Sequence, residues 1–399
     1  MNILFVSSYD VKRNTSSNIR TIALIQALAT AGHSVSLAYF PSGHESDPLL
    51  GSCIDSSCSS VISLKKTKPK TEVYPLGNNN VMPKGNLSIG NIKKYILRLY
   101  DRFFIYDVFQ MEFRRIDNEK ISKLERFYDI IVSSSEPRSS HKLVKLLRKN
   151  GISCKKWVQY WGDPITNDVA SKKILPFREK IVEENLITQG NISLYTNPGC
   201  VEYMKSKYAS QAKKMFWIPT SDIKTVVEYS NMESRLIAYV GDYKSIYRNI
   251  KPFYLVCKKL LLQTTIAGGS DVSLEPTDSI SILGRVSKTQ ADVIESQSKI
   301  LVVLDNERVG KECIQVPGKM YHYALTDKYI LVISNSNSLE NYYGCYNRYV
   351  FVRNTEEEIE NGIKKILSGV FPESYKTPVS DFQQSKIVDV FLKIIDKEE

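Results

Sequence analysis

Short apolar runs alternate along this chain with longer stretches in which apolar residues recur every three or four positions. Residues 2–8 read as a strand. Residues 16–31 read as a helix with Ile22, Ile25 and Ala29 on one face, and 34–40 as a second strand, with Gly32 ending the helix between them. The same βαβ rhythm returns at 128–133 and 139–149, at 156–161 and 176–188, and at 192–196 and 199–208. It restarts after the Trp217-Ile218-Pro219-Thr220-Ser221-Asp222 run, with strands expected at 236–240, 280–283, 300–304 and 329–333 and helices between them. Alternating β and α elements at this spacing predict parallel, doubly wound sheets. Two series with a break near residue 220 predict two Rossmann-like α/β domains.

The expected boundaries are 1–219 for the first domain, 220–378 for the second, and 379–399 for a last helix returning to the first. Residues 41–90 interrupt the pattern with Ser, Pro, Gly, Lys and Asn, including Asn78-Asn79-Asn80, and read as a loop or insertion. Glu356-Glu357-Glu358 has a structural reading. Thr355 can cap a helix whose first turn then carries carboxylates at the positive dipole end.

A length of 399 residues with 42% hydrophobic and 24% charged content suits two soluble globular domains. No apolar run approaches the roughly 18 residues of a membrane span, and the opening Asn2–Val6 run stops too early for a signal peptide. A cytoplasmic location is therefore expected. Seven cysteines are scattered without a Cys-x-x-Cys pair, which excludes a zinc ribbon or disulfide framework from the expectations. Charge changes the picture more. Residues 1–200 hold 28 Lys and Arg against 18 Asp and Glu, whereas the remainder holds 26 against 25. The surplus in the first half suggests that it meets something anionic. No recognised nucleic-acid module accompanies it, so a nucleic-acid partner is not expected.

Three turns could carry phosphate chemistry. The first βα turn, residues 9–17, is polar and opens a helix, but it lacks the Gly-x-Gly-x-x-Gly spacing of dinucleotide sites. The second runs from Gly241 through Asp242, Tyr243 and Lys244 to Arg248 between a strand and a helix, placing glycine and two cations where a pyrophosphate can be held. The third is Gln315-Val316-Pro317-Gly318-Lys319, in which the Pro-Gly turn sets Lys319 at a helix start. A lysine there can neutralise a departing diphosphate. Solvated loop charges would look the same for either turn taken alone.

In this order, the Gly241 turn, the Ile282-Leu283-Gly284-Arg285-Val286 strand end and the Gln315–Lys319 run resemble the second domain of family-4-like GT-B glycosyltransferases. Bacterial members that build lipopolysaccharide, capsule and other polysaccharides come nearest. Residues 3–35, the Tyr195-Thr196-Asn197-Pro198-Gly199 run and Ile218-Pro219 are similar to parts of their first domain, and 41–125 lie outside the likeness. The resemblance implies a nucleotide-sugar donor and a lipid-linked or oligosaccharide acceptor, with retention of anomeric configuration. It assigns Gly241, Arg248 and Lys319 to the donor diphosphate, with Tyr243, Lys244, Gly284, Arg285, Gln315 and Gly318 around them. Two positions depart from the family. Ser16-Ser17 stand where its first-domain Gly-Gly loop is expected, on the acceptor or sugar side. His322 stands where a ribose-holding glutamate often lies, and it either binds ribose through a ring nitrogen or packs.

Trp161-Gly162-Asp163-Pro164 closes a first-domain strand, where Asp163 is placed for a general base or an acceptor hydroxyl; a plain turn before proline is the alternative. Glu136 and His141 follow the preceding strand and are acceptor-side candidates on the same grounds. No Asp-x-Asp is present, so neither a metal nor another cofactor is expected beyond the nucleotide-sugar co-substrate. The stretch from Lys93 to Phe104 sets Lys93, Lys94, Arg98 and Arg102 among Tyr and Phe, a composition suited to an anionic membrane face or to an ordinary surface helix. It makes peripheral attachment to the inner face of the plasma membrane an expectation. A sugar-nucleotide epimerase of the same architecture and a catalytically lapsed binding partner are the rival readings.

Overall fold

The computed structural model describes residues 1–41, 46–66, 107–168, 175–223, 235–307, 314–369 and 379–397, together with Ile96 and Leu99. Lys93, Lys94, Arg98 and Arg102 lie outside the described residues.

Seven strands form the first sheet: β1 (Asn2–Ser7), β2 (Ser34–Tyr39), β3 (Ser60–Ser63), β4 (Phe127–Ser134), β5 (Ser153–Trp161), β6 (Ile192–Tyr195) and β7 (Met215–Trp217). They lie in the order β3-β2-β1-β4-β5-β6-β7, all paired parallel. The second sheet holds β8 (Arg235–Val240), β9 (Thr264–Ala267), β10 (Ile280–Leu283), β11 (Ser298–Leu304), β12 (Tyr329–Ile333) and β13 (Tyr349–Val352), in the order β10-β9-β8-β11-β12-β13, again parallel. Helices cover both faces, so central strands such as β1 and β11 read as near-continuous apolar runs and are buried from Ile3 and from Ile300 onward.

Each sheet reverses its strand order once, between β1 and β4 and between β8 and β11. Loops leaving neighbouring strands diverge there and open a crevice at the carboxyl ends. Ser16 and Ser17 follow β1, and Glu136 follows β4. The Gly241 turn follows β8, and Asp305 follows β11. The expected loop at 41–90 is corrected in its first part. Asp47 caps a helix at Pro48–Ser57, with Pro48 at its first position, and β3 then adds an edge strand to the first sheet.

The last helix, Gln384–Asp396, crosses back to the first sheet. Ile387, Val388, Phe391, Ile394 and Ile395 share one core with Ile22, Ile25 and Leu28 of the Ser16–Thr30 helix. Lys156 of β5 donates to the Ile395 carbonyl at 2.6 Å and fixes the helix end.

Candidate functional site

The two sets of carboxyl-end loops face each other, and several contacts hold them together. Gly318 packs closely against Ser16: a methyl group built on it would lie 3.3 Å from the serine Cβ, tighter than an ordinary van der Waals contact. Asn197 donates to the Ile314 carbonyl, and Tyr321 to the Thr196 carbonyl at 2.5 Å. The Gln315 side chain hydrogen-bonds Asp163. Thus Ser16, Gly318, Gln315 and Asp163, chosen on separate sequence grounds, come together in one cleft.

On the first-sheet side the organising group is Arg20, which sequence reading did not single out. It lies near the start of the Ser16–Thr30 helix, where the helix dipole disfavours a cation. That opposition was the available signal. Its guanidinium donates to the Ser135 carbonyl at 2.6 Å and lies over the Tyr160 ring. A methyl group built on Gly162 would overlap that guanidinium, so glycine at 162 makes the room. The Ser17 hydroxyl accepts from the Glu136 N–H at 3.0 Å and faces the Ser135 and Glu136 carbonyls, which fixes the loop carrying Glu136. Both peptide bonds of Ser135-Glu136-Pro137 are cis.

Glu136 and Asp163 act on each other electrostatically, and both are held above ordinary carboxylate values. For Glu136 the causes are desolvation by the cleft walls and then the Asp163 charge, against Arg20. For Asp163 desolvation leads, with Arg20 and Arg248 opposing and Asp168 adding a like charge. Glu136 nevertheless shows an exposed surface. It sits in an open cleft with protein on its sides, and solvent relieves part of its desolvation. His141 does not reach this space. It is fully buried, bonds Ser133 at 2.7 Å, lies against the Trp161 ring, and burial pushes its pKa down to about 3. The acceptor-side expectation for His141 is corrected accordingly: it is a neutral core imidazole.

On the second-sheet side the Gly241 turn is shaped by close backbone contact. A methyl group on Gly268 would overlap the Gly241 carbonyl, and Gly268 has φ +155, so glycine at 268 lets the backbone after β9 approach the Gly241 turn. Asp242 accepts from the Gly269 N–H at 2.8 Å and pairs with Arg285. Arg248 donates to the Asp242 carbonyl at 3.3 Å and acts on both Asp163 and buried Asp305. Desolvation raises Asp305 to about 7, against the Ser334 hydroxyl that it accepts from at 2.7 Å. Lys244 is half-buried and bridges through its backbone to Arg248. Tyr243 is corrected: its ring is buried in the core, edge-on to Tyr239, and offers no side-chain contact to a donor. Gly284 is exposed, and its carbonyl accepts from the Gly268 N–H at 3.1 Å.

Lys319 and His322 belong to a buried ionic network that the sequence did not reveal. Lys319 lies 2.5 Å from Glu295, which is 3% exposed. One ring nitrogen of His322 contacts Asp222 and the other lies 2.6 Å from Glu295. Both ring nitrogens are thereby occupied, which corrects the ribose-binding option: the imidazole serves two carboxylates. Burial opposes its charged form, but Asp222 and Glu295 outweigh it and raise its pKa. Glu295 is depressed to about 2; burial works against this, and Lys319 and His322 overcome it. Among the described residues Asp222, Asp292 and His322 bring ligand-type atoms within 4.8 Å of one another. The Lys288 ammonium already sits between the two carboxylates, so a metal ion would have to displace a lysine.

No protein-family model matches the chain, and no curated protein matches it. Solved structures do. The Anabaena protein HepE in complex with UDP aligns with TM-score 0.53 at 9% identity, over 100% of both chains. The lipopolysaccharide outer core galactosyltransferase WaaB aligns with TM-score 0.53 at 13% identity, also over 100% of both chains. The UDP-GlcNAc 2-epimerase from Neisseria meningitidis bound to UDP-GlcNAc gives TM-score 0.53 at 10% identity, over 100% of each. The chain has the GT-B fold, shared by transferases and epimerases.

Proposed function

We propose that this chain is a glycosyltransferase that moves a hexosyl group from a nucleotide sugar to a lipid-linked or oligosaccharide acceptor in cell-surface polysaccharide synthesis, with retention of configuration. The observation that carries the reading is the apposition of the two sheets' loops, where Gly318 packs on Ser16 and Gln315 hydrogen-bonds Asp163, with the Arg248 charge acting on Asp163 from the second-sheet side. Cations on the second-sheet side compensate charge on a departing nucleoside diphosphate, with Arg248 and Lys319 in that role and no metal required. Asp163 contacts the acceptor hydroxyl, and the Arg20 charge favours the ionised form of both carboxylates. The structural neighbours support a nucleotide-sugar ligand through their fold.

The Glu136–Asp163 pair favours a second reading. Two carboxylates whose environments push their pKa values apart form an acid and a base, which a sugar-nucleotide epimerase needs. Thermal stabilisation by UDP-, GDP-, dTDP- and CMP-sugars identifies the donor first. Incubation of that donor in heavy water, with and without oligosaccharide or lipid-linked acceptors, then separates the two chemistries by NMR. Transfer gives free nucleoside diphosphate and a lengthened acceptor. Epimerisation places deuterium on a sugar carbon without an acceptor. Stabilisation by none of the donors would defeat both readings.

A further inference from the structure

Away from the cleft, an apolar groove of about 420 Å³ runs along the free edge of the first sheet. It exists because β7 is the last strand of that sheet and only three residues long. The Pro198–Lys207 helix and the final Gln384–Asp396 helix both overhang it. Val201, Phe216, Trp217, Val390 and Ile394 line it. Trp217 is 38% exposed, whereas the other two tryptophans, Trp157 and Trp161, are 1% and 0% exposed. Lys205, Lys393 and Lys397, all exposed, stand around the same groove. Its one lining carboxylate, Glu202, accepts the Tyr342 hydroxyl at 2.5 Å and is directed toward the second sheet's side of the molecule.

We propose that this groove binds an anionic phospholipid of a membrane surface, one acyl chain lying on the apolar floor and the phosphate head group between the three lysines. Charge selects this occupant. A second copy of the chain would bring lysines against lysines, and a sugar would find too few hydrogen-bonding groups on the floor. An aromatic with cations around it is the arrangement that settles at a head-group boundary. The volume is within the range of clefts that enclose small ligands. The surplus of Lys and Arg in residues 1–200 adds attraction of the same sign over a longer range. The site is independent of the nucleotide-sugar reading and of the Lys93–Phe104 stretch.

Trp217 makes the test direct, because it is the exposed one of three tryptophans. Full-length protein is titrated with vesicles of phosphatidylglycerol or of phosphatidylcholine, each with and without dibrominated acyl chains. The expected result is quenching of the exposed tryptophan by brominated phosphatidylglycerol, weakening as salt rises, and little by brominated phosphatidylcholine. Replacing Lys205, Lys393 and Lys397 together by glutamine should weaken partitioning on the order of 100-fold. The melting temperature serves as the folding control. Equal partitioning to both lipids, or binding that leaves Trp217 unquenched, would overturn the proposal. So would unchanged binding by the triple variant. A glutamate-rich peptide that shifts Trp217 emission while vesicles do not would assign the groove to an acidic protein instead.

Discussion

Lys288 joins the two halves of the molecule through Asp222. Its ammonium lies 3.2 Å from the Asp222 carboxylate, in the segment that follows β7, while its own helix, Lys288–Ser296, leads into β11 of the second sheet. The same residue's backbone N–H donates at 3.2 Å to Asp47, whose other carboxylate oxygen accepts from Leu49 and Leu50. One carboxylate thus caps a first-sheet helix and meets the start of a second-sheet helix. A second carboxylate, Asp222, meets both Lys288 and His322.

Replacing Lys288 by methionine keeps the stem and removes the charge from a residue 3% exposed. Asp222 and Asp292, each 9% exposed in the side chain, then lose the ammonium between them, and His322 is the cationic partner that remains. Breaking one partner out of such a buried group costs about 3–5 kcal/mol. Urea unfolding near neutral pH should show a loss of that size. A loss under about 1 kcal/mol would mean that water reaches the network.

His322 gives the stability a pH dependence with a definite sign. Its pKa is raised in the folded protein, with burial opposing and Asp222 and Glu295 prevailing. The stabilisation is therefore complete below the ordinary histidine value of about 6.5 and is lost as pH rises through the higher folded value. The stability difference between the native protein and His322→Gln should be greatest near pH 6 and shrink toward pH 9. A difference that grows with pH would show that the imidazole is held neutral.

Gly162→Ala tests the placement of Arg20. The added methyl would overlap the guanidinium, which must leave the Ser135 carbonyl or tilt off Tyr160. Turnover with the donor found by thermal screening should fall at least about 10-fold, as expected when a charged group leaves a catalytic cleft. Because Arg20 lowers both carboxylates, the acid limb of the pH–rate profile should move upward. Arg20→Lys should retain more activity than Arg20→Ala. An unchanged profile in a folded Gly162→Ala protein would remove Arg20 from the site.

Elements with strong local periodicity were legible in the sequence: β1, the helix after it, β11 and β12 all lie where the apolar runs placed them. Among the short strands, β6 and β10 were legible as well, but four were not. β3, β7, β9 and β13 are three or four residues long and gain their stability from pairing with neighbours, so local pattern carries little of it. Asp163, Gln315, Gly318 and Ser16 could be picked out because strand ends and turns announce themselves. The Lys319–Glu295–His322–Asp222 network could not, because it joins residues up to 100 positions apart through side chains alone. His141 misled for the related reason that nothing local separates a core imidazole from a cleft one.

Lys319 now carries two roles whose effects must be separated. Its pairing with Glu295 makes it structural, and its place at the start of the Lys319–Ala324 helix makes it the candidate partner of a donor diphosphate. Lys319→Ala should therefore lower stability as well as activity. The stability part is moderate, about 1–3 kcal/mol, because Glu295 keeps His322 at 2.6 Å and the Tyr323 hydroxyl at 3.0 Å. Adding Glu295→Gln removes the unbalanced charge, so the double variant should recover part of the melting temperature. Turnover should not recover with it. If the ammonium stabilises charge on the leaving diphosphate, kcat stays depressed by roughly 100-fold or more in both variants. Recovery of kcat together with stability would show that Lys319 acts only through Glu295, and the diphosphate role would pass to Arg248.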